Sequence, residues 1–375
     1  MIVNIMDQQI IILKSWKWSL VLPIFEFKPR QNIFVHKNGF SRIVNSILLI
    51  SLRLLDYFLS MYEAKFSIGS LAIHLETITA TITTILILFN IHSHTKDILM
   101  ILRKINGIPK KLRSIGVIFP GIVQRKNSIL LFIHLTDYVC SVLVESTLVI
   151  IEFGFLSYID VISYYFSSLV IFDFHLLYIV LGIALDFYLR AFNSFAKVDN
   201  FQMEVEQIVK LFDGFHNTIE ECHRIFSYTI LIDISHQFTS ILFSFFWAII
   251  NGESLSSIRG VLFFFVNCSW VFCFIYRIMC FVVTFASVEQ ESKLAVENIY
   301  DIQTRIGRKN LPYKSMELFL LKSKLNELKF SVCGFFPLDW SLIYSMVAGI
   351  TTYLVYLIQF REMEQDRIAA TTGAP

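Results

Sequence analysis

Charge is scarce in this sequence. Only 17% of the 375 residues are Asp, Glu, Lys or Arg, against 55% hydrophobic, and the mean hydropathy is +0.62. A soluble domain of this length could not hide so much apolar surface. The motifs of common enzymes are missing as well. No HExxH, Walker loop, GxSxG or paired CxxC occurs, so the residues indicate neither an enzyme nor a cofactor. His92 with His94 and His216 with His223 are the nearest approach to a metal site. The first two do not face each other on a helix, and the second two read as a solvated face. Cys140, Cys222, Cys268, Cys273, Cys280 and Cys333 avoid the short outer loops assigned below, which excludes a disulfide framework and leaves them as small packing residues. The N-terminal apolar runs Ile10–Leu13 and Leu20–Ile24 are broken by Lys14 and Lys17. That is too interrupted for a signal peptide and suits an interfacial helix with Trp16 and Trp18 at the headgroups.

What is present is long apolar runs. Seven are read as membrane spans: 40–62, 68–91, 128–151, 158–188, 227–250, 258–287 and 337–360. Each is near or above the ~20 residues a helix needs to cross about 30 Å of hydrocarbon. The first holds Arg53 and Asp56, three apart, which can pair on one helix face.

Basic residues fix the orientation. Segments 1–39, 92–127, 189–226 and 288–336 carry five, eight, four and eight Lys plus Arg, or 25 of 32. The short segments 63–67, 152–157 and 251–257 hold only Lys65. Basic loops stay in the cytosol. The fold class is therefore an all-α integral membrane protein of seven transmembrane helices, with the N-terminus cytosolic and the C-terminus extracellular. G-protein-coupled receptors have the opposite orientation. The organisation reads as a cytosolic N-terminus (1–39), a helix bundle with cytosolic extensions (40–287), a cytosolic anchor segment (288–336), a last helix (337–360) and an extracellular tail (361–375). Apolar positions from Val205 to Cys222 and from Met316 to Leu328 recur at helical spacing, giving amphipathic helices below the membrane.

The chain breaks at Cys333-Gly334-Phe335-Phe336-Pro337. Gly suits the end of one helix and Pro the first turn of the next, with Asp339 favoured near the new N-terminus. In the helix that follows, Ser341, Ser345, Ala348, Thr352, Val355 and Gln359 share one face. Small residues let membrane helices pack closely; alternatively, the face lines a wet path. The amide of Gln359, near the outer end, wants water or a partner.

Thr352-Tyr353, five mostly apolar residues and Gln359-Phe360 resemble the C-terminal signature of insect gustatory receptors, and the likeness extends upstream to Phe330. Leu354 stands where sugar-sensing members tend to carry Glu, which points to a bitter-type or orphan receptor. The resemblance implies a tetrameric, ligand-gated cation channel in the plasma membrane. Its seventh helix would be split at Gly334 to Pro337, with a cytosolic helix 7a in the anchor and helix 7b lining the pore. Gln359 and Phe360 would form the outer constriction, with Tyr356, Val355, Thr352, Ala348 and Ser345 below them. Its partners would be membrane lipid, a small-molecule tastant and three identical or related subunits; nucleic acid is not among them.

The outer halves of spans two to six carry aromatic residues with a few polar anchors, as small-molecule sites do. Glu145, Asp160, Tyr164, Tyr165, Trp247, Asn267 and Trp270 are the candidates. The two acids suit a cationic alkaloid held among aromatic rings. Tyr and Trp also belong to the interfacial belt of any membrane protein. Two other functions compete: a chemoreceptor subunit that needs partner subunits or signals without conducting, and a transporter. A transporter would need inverted repeats, and none is clear.

Overall fold

In a computed structural model, the described residues are 25–28, 33–36, 68–114, 158–196, 205–252, 258–306 and 328–372, with isolated positions between them. Helices dominate. They are α1 (Ile68–Ser93), α2 (Thr95–Ser114), α3 (Tyr158–Ala196), α4 (Val205–Gly252), α5 (Ile258–Ile306) and α6 (Trp340–Thr372). Two small antiparallel hairpins interrupt them: β1 (Phe25–Lys28) with β2 (Ile33–His36), and β3 (Ser331–Val332) with β4 (Phe336–Pro337). The expected spans 40–62 and 128–151, the Arg53–Asp56 pair, the N-terminal interfacial helix and most of the Met316–Leu328 helix lie outside the described residues.

Five described helices are long and apolar enough to cross a membrane: Leu75–Ser93, Val170–Ala196, Gln207–Ile250, Gly260–Ile302 and Trp340–Ala370. In hydrocarbon every backbone N–H and C=O must be met within the protein, and a helix meets them within itself. α4 and α5 have 48 and 49 residues. At 1.5 Å per residue each is roughly 70 Å long, more than twice the hydrocarbon thickness. The amphipathic stretch from Val205 is thus the inner half of one continuous helix whose outer half is the span 227–250.

The core is aromatic and centred on α3. Some 94% of its membrane-crossing window is buried, against 17% for α6. Tyr178 stacks on Phe285, 4.3 Å between centroids, and lies 5.4 Å from Phe226. Gly182 lets α3 and α5 approach, because a Cβ there would meet Thr284 Cγ2 at 2.6 Å.

The connection 92–127 contains α2, whose Ile98, Ile101, Leu102, Ile105, Ile108 and Leu112 are buried at helical spacing. Several other expectations are corrected. His216 and His223 do not lie on a solvated face. His216 is 9% exposed beside Glu220 at 3.2 Å, and His223 is tied to the β3–β4 hairpin. The break at Gly334 is not a helix end, and Pro337 is not in a first helical turn. Cys333 and Gly334 have φ of 51° and 77°, which make the two central positions of a tight hairpin turn. Pro337 sits in β4, in an isolated two-stranded ribbon whose outer edges require no ladder donor. α6 starts at Trp340 behind Asp339, whose Oδ1 accepts from the Ser341 amide at 2.8 Å as an N-cap. α6 also continues past Phe360 to Thr372, because no Gly or Pro occurs in that stretch.

Gly182→Ala should destabilise the receptor by about 1–3 kcal/mol, since two packed helices must separate to admit the methyl group. The check is thermal melting in detergent; an unchanged melting temperature would contradict the close contact.

Candidate functional site: the last helix and its mounting

α6 is amphipathic in an inverted sense. Leu342, Met346 and Ile350 are buried against the bundle, whereas Ser341, Ser345, Ala348, Thr352, Val355 and Gln359 are exposed. The small-polar face predicted from the sequence is thus uncovered, as are Tyr344, Val347 and Tyr353 beside it. Its hydroxyls are spoken for in part. Ser345 Oγ donates to Ser341 O at 2.9 Å and Thr352 Oγ1 to Ala348 O at 2.9 Å, leaving oxygen lone pairs outward. Tyr356 and Phe360 are also exposed, at 52% and 54%.

The upper part of α6 is loosely held. An apolar cavity of about 400 Å³ separates α6 from α4 and α5, walled by Ile241, Phe245, Ile278, Met346, Ile350 and Leu354. Contact is restored at two places. A Cβ at Gly349 would lie 3.1 Å from Phe238 Cε2. Further out, Leu354 and Leu357 pack on Phe243 and Phe246.

The lower end is fixed by hydrogen bonds from the bundle. His223 Nε2 donates to Ser331 O at 2.9 Å, and its Nδ1 accepts from the Tyr178 hydroxyl at 3.3 Å. The Cys333 amide donates to Ser227 Oγ at 2.8 Å, and the Leu338 amide to Phe330 O at 2.8 Å. Phe330 and Val332 are buried, with the Phe330 ring 5.1 Å from both His223 and Phe285. The hairpin therefore links α3, α4 and α5 to the start of α6.

A profile of the 7tm chemosensory receptor family matches residues 16–364. The chain belongs to that family. Among its relatives are three Drosophila melanogaster proteins. Gustatory and pheromone receptor 32a is 37% identical over 68 residues, 18% of this chain and 15% of that protein. Gustatory receptor 68a is 35% identical over 74 residues, 20% of this chain and 19% of that one. Gustatory receptor for bitter taste 66a is 45% identical over 57 residues, 15% of this chain and 11% of that one. The chain therefore spans under a fifth of the length of these relatives. The fold matches that of the insect olfactory receptor OR5 from Machilis hrabei, with a TM-score of 0.69, 12% identity, and coverage of 93% of this chain and 99% of that chain. The receptor is thus an all-α, multi-pass plasma-membrane protein of the gustatory and olfactory receptor fold.

The expected ligand residues fare unevenly. The side chains of Glu145, Asp160, Tyr164 and Tyr165 lie outside the described residues. Trp270 is buried and stacks on Phe274, Asn267 is half-buried, and Trp247 sits between α4 and the outer part of α6. Sequence reasoning missed the hairpin residues Ser227 and His223, which touch the chain about a hundred residues later and leave no local signal. It also missed His175, Asp233 and Arg277, polar residues inside apolar runs, which a search for intramembrane ionisable groups would have found.

Cys333→Gly should leave the hairpin intact and raise stability by about 1 kcal/mol, since a Cβ is unfavourable at positive φ. Ser227→Ala should lower it by about 1–3 kcal/mol by orphaning the Cys333 amide. Paired melting curves check both signs; a drop for Cys333→Gly would contradict the turn geometry.

Proposed function

We propose that this receptor is a bitter-type gustatory receptor that works as a ligand-gated, non-selective cation channel. Four identical or related copies would set their α6 helices around a central pore. The observation that carries this reading is the exposed Ser, Ala, Thr and Gln stripe of α6, set opposite a face buried on its own bundle. Helices that meet around an axis through such a stripe enclose a polar path. The bitter assignment draws on Leu354 and on the likeness to gustatory receptor for bitter taste 66a.

Gln359 and Phe360 are neighbours near the outer end of this stripe, and consecutive side chains differ by about 100° around a helix. A ring of Phe360 side chains closes the path by dewetting; a rotation or tilt that replaces it with Gln359 amides admits hydrated cations. Val355, Tyr356, Thr352, Ala348 and Ser345 line the path below. The cavity behind α6 gives the helix room to tilt, and the β3–β4 hairpin supplies a fixed lower pivot. Moving the gate from mostly closed to mostly open requires a ligand to favour the open state by about 5 kcal/mol over all its sites.

The ligand would sit in the outer halves of the spans, among Glu145, Asp160, Tyr164, Tyr165, Asn267 and Trp270. A cationic alkaloid matches the two acids and the aromatic rings. Trp247, which like Leu357 packs on the Phe243 and Phe246 pair, would pass the ligand's effect to α6.

Patch recording from cells expressing the chain is the test. Phe360→Ala should raise ligand-free opening at least tenfold; a channel that stays closed would refute the gate. Glu145→Gln with Tyr164→Ala should weaken alkaloid potency at least tenfold, and unchanged potency would move the pocket elsewhere.

A further inference from the structure

Deep between α3, α4 and α5, at the depth of the membrane, lies a polar cluster that the gate and the outer pocket do not use. Asp233 is 0% exposed, His175 1%, Gln237 1%, Ser240 0% and Arg277 4%. Asp233 commits one oxygen, Oδ2, to two neighbours: His175 Nδ1 at 3.2 Å and Gln237 Nε2 at 2.9 Å. His175 Nε2 faces the main-chain oxygen of Arg277 at 3.2 Å. A neutral imidazole donates from one nitrogen only, so either tautomer leaves one of the two His175 contacts without its proton.

The remaining polar atoms are unmet. Asp233 Oδ1, Gln237 Oε1, Ser240 Oγ and Arg277 Nε and Nη2 are buried without a hydrogen-bond partner among the described residues. For Arg277 the pattern is specific. Nε–H and Nη2–H form the side edge of the guanidinium, the fork that takes both oxygens of a carboxylate. Asp233 does not fill it, because its bound oxygen faces His175 and Gln237. The guanidinium lies instead over the Phe274 ring, 5.5 Å from the centroid, and Phe274 stacks in turn on Trp270. A buried guanidinium edge with no hydrogen-bond acceptor among the described residues is costly, and a ligand that supplies the acceptors removes that cost.

We propose that this cluster is a second ligand site, separate from the outer pocket, and that it binds a small monocarboxylate. The ligand's two oxygens would accept from Arg277 Nε–H and Nη2–H. Its short apolar tail would lie beside the Phe274 ring. A neutral amide of the same shape has one oxygen acceptor and no charge, so it cannot replace the carboxylate. Arg277 is the specificity-determining residue. Asp233 Oδ2 is held by His175 and Gln237, and no hydrogen bond joins Asp233 to the fork.

The test is binding to the purified full-length receptor in detergent, and it uses no current, so it stands whether or not the chain conducts. Sodium butyrate should raise the melting temperature by about 3 °C or more at saturation, whereas butyramide and equimolar sodium chloride should not. Arg277→Gln should abolish the butyrate shift. Arg277→Lys, which keeps the charge but lacks the fork, should weaken butyrate at least tenfold. If Arg277→Gln fails to fold, saturation-transfer NMR of butyrate against butyramide on the unmodified receptor decides. Equal behaviour of butyrate, butyramide and chloride, or a butyrate shift that survives in Arg277→Gln, would overturn the site.

Discussion

Hydrocarbon offers a backbone no hydrogen bonds, and the rest of this structure depends on that constraint. It forces the chain into helices wherever it is in the bilayer. It also confines the one described break before α6 to the level of the basic segments. The break could not be a loose loop, because the helix that follows must be held in register with the bundle. His223 and Ser227 supply that hold by binding the main chain of the β3–β4 hairpin, and the Tyr178 hydroxyl bonds His223 from behind. A short ribbon of paired backbone is stiffer than a coil of the same length. The inner ends of α3 to α5 and the start of α6 are therefore held in one unit.

The distribution of burial follows from the same logic. α3 is packed chiefly by aromatic and branched residues, with 94% of its crossing window buried. α6 is the reverse. It rests on the bundle along Leu342, Met346 and Ile350 and leaves its small-polar side uncovered. With no hydrophobic drive between helices in lipid, a helix that exposes Ser, Thr and Gln needs either a like-faced partner or water. In a family whose fold is shared with the olfactory receptor OR5, that unfilled requirement is what makes α6 the place to look for function.

Legibility varied from element to element. Those with a single strong period were read well: the spans from Ile68, Tyr158 and Ile258 begin where their helices begin, and the face from Ser341 to Gln359 is the exposed face. Elements decided by competition were not. Gly334 and Pro337 serve equally well as helix terminators and as hairpin residues. The choice fell to the hairpin because Ser227 and His223 were there to receive its backbone groups. α2 forms across Gly107 and Pro109, which locally disfavour a helix, because burial of six apolar side chains favours one. The ligand residues were the least legible, since aromatic side chains near the membrane surface suit both a pocket and the interfacial belt.

The sequence by itself determined the membrane class, the spans and their orientation. These follow from local quantities, apolar length and the placement of basic residues, which need no knowledge of what packs on what. It also determined the family, through a short signature at the end of α6. Only the tertiary structure decided that α6 is hung from a hairpin, that its polar stripe is left uncovered, and that the side edge of Arg277 is buried without a hydrogen-bond partner among the described residues. Each of those depends on which residues far apart in the chain come together, and pairing across a hundred residues leaves no period in the sequence to read.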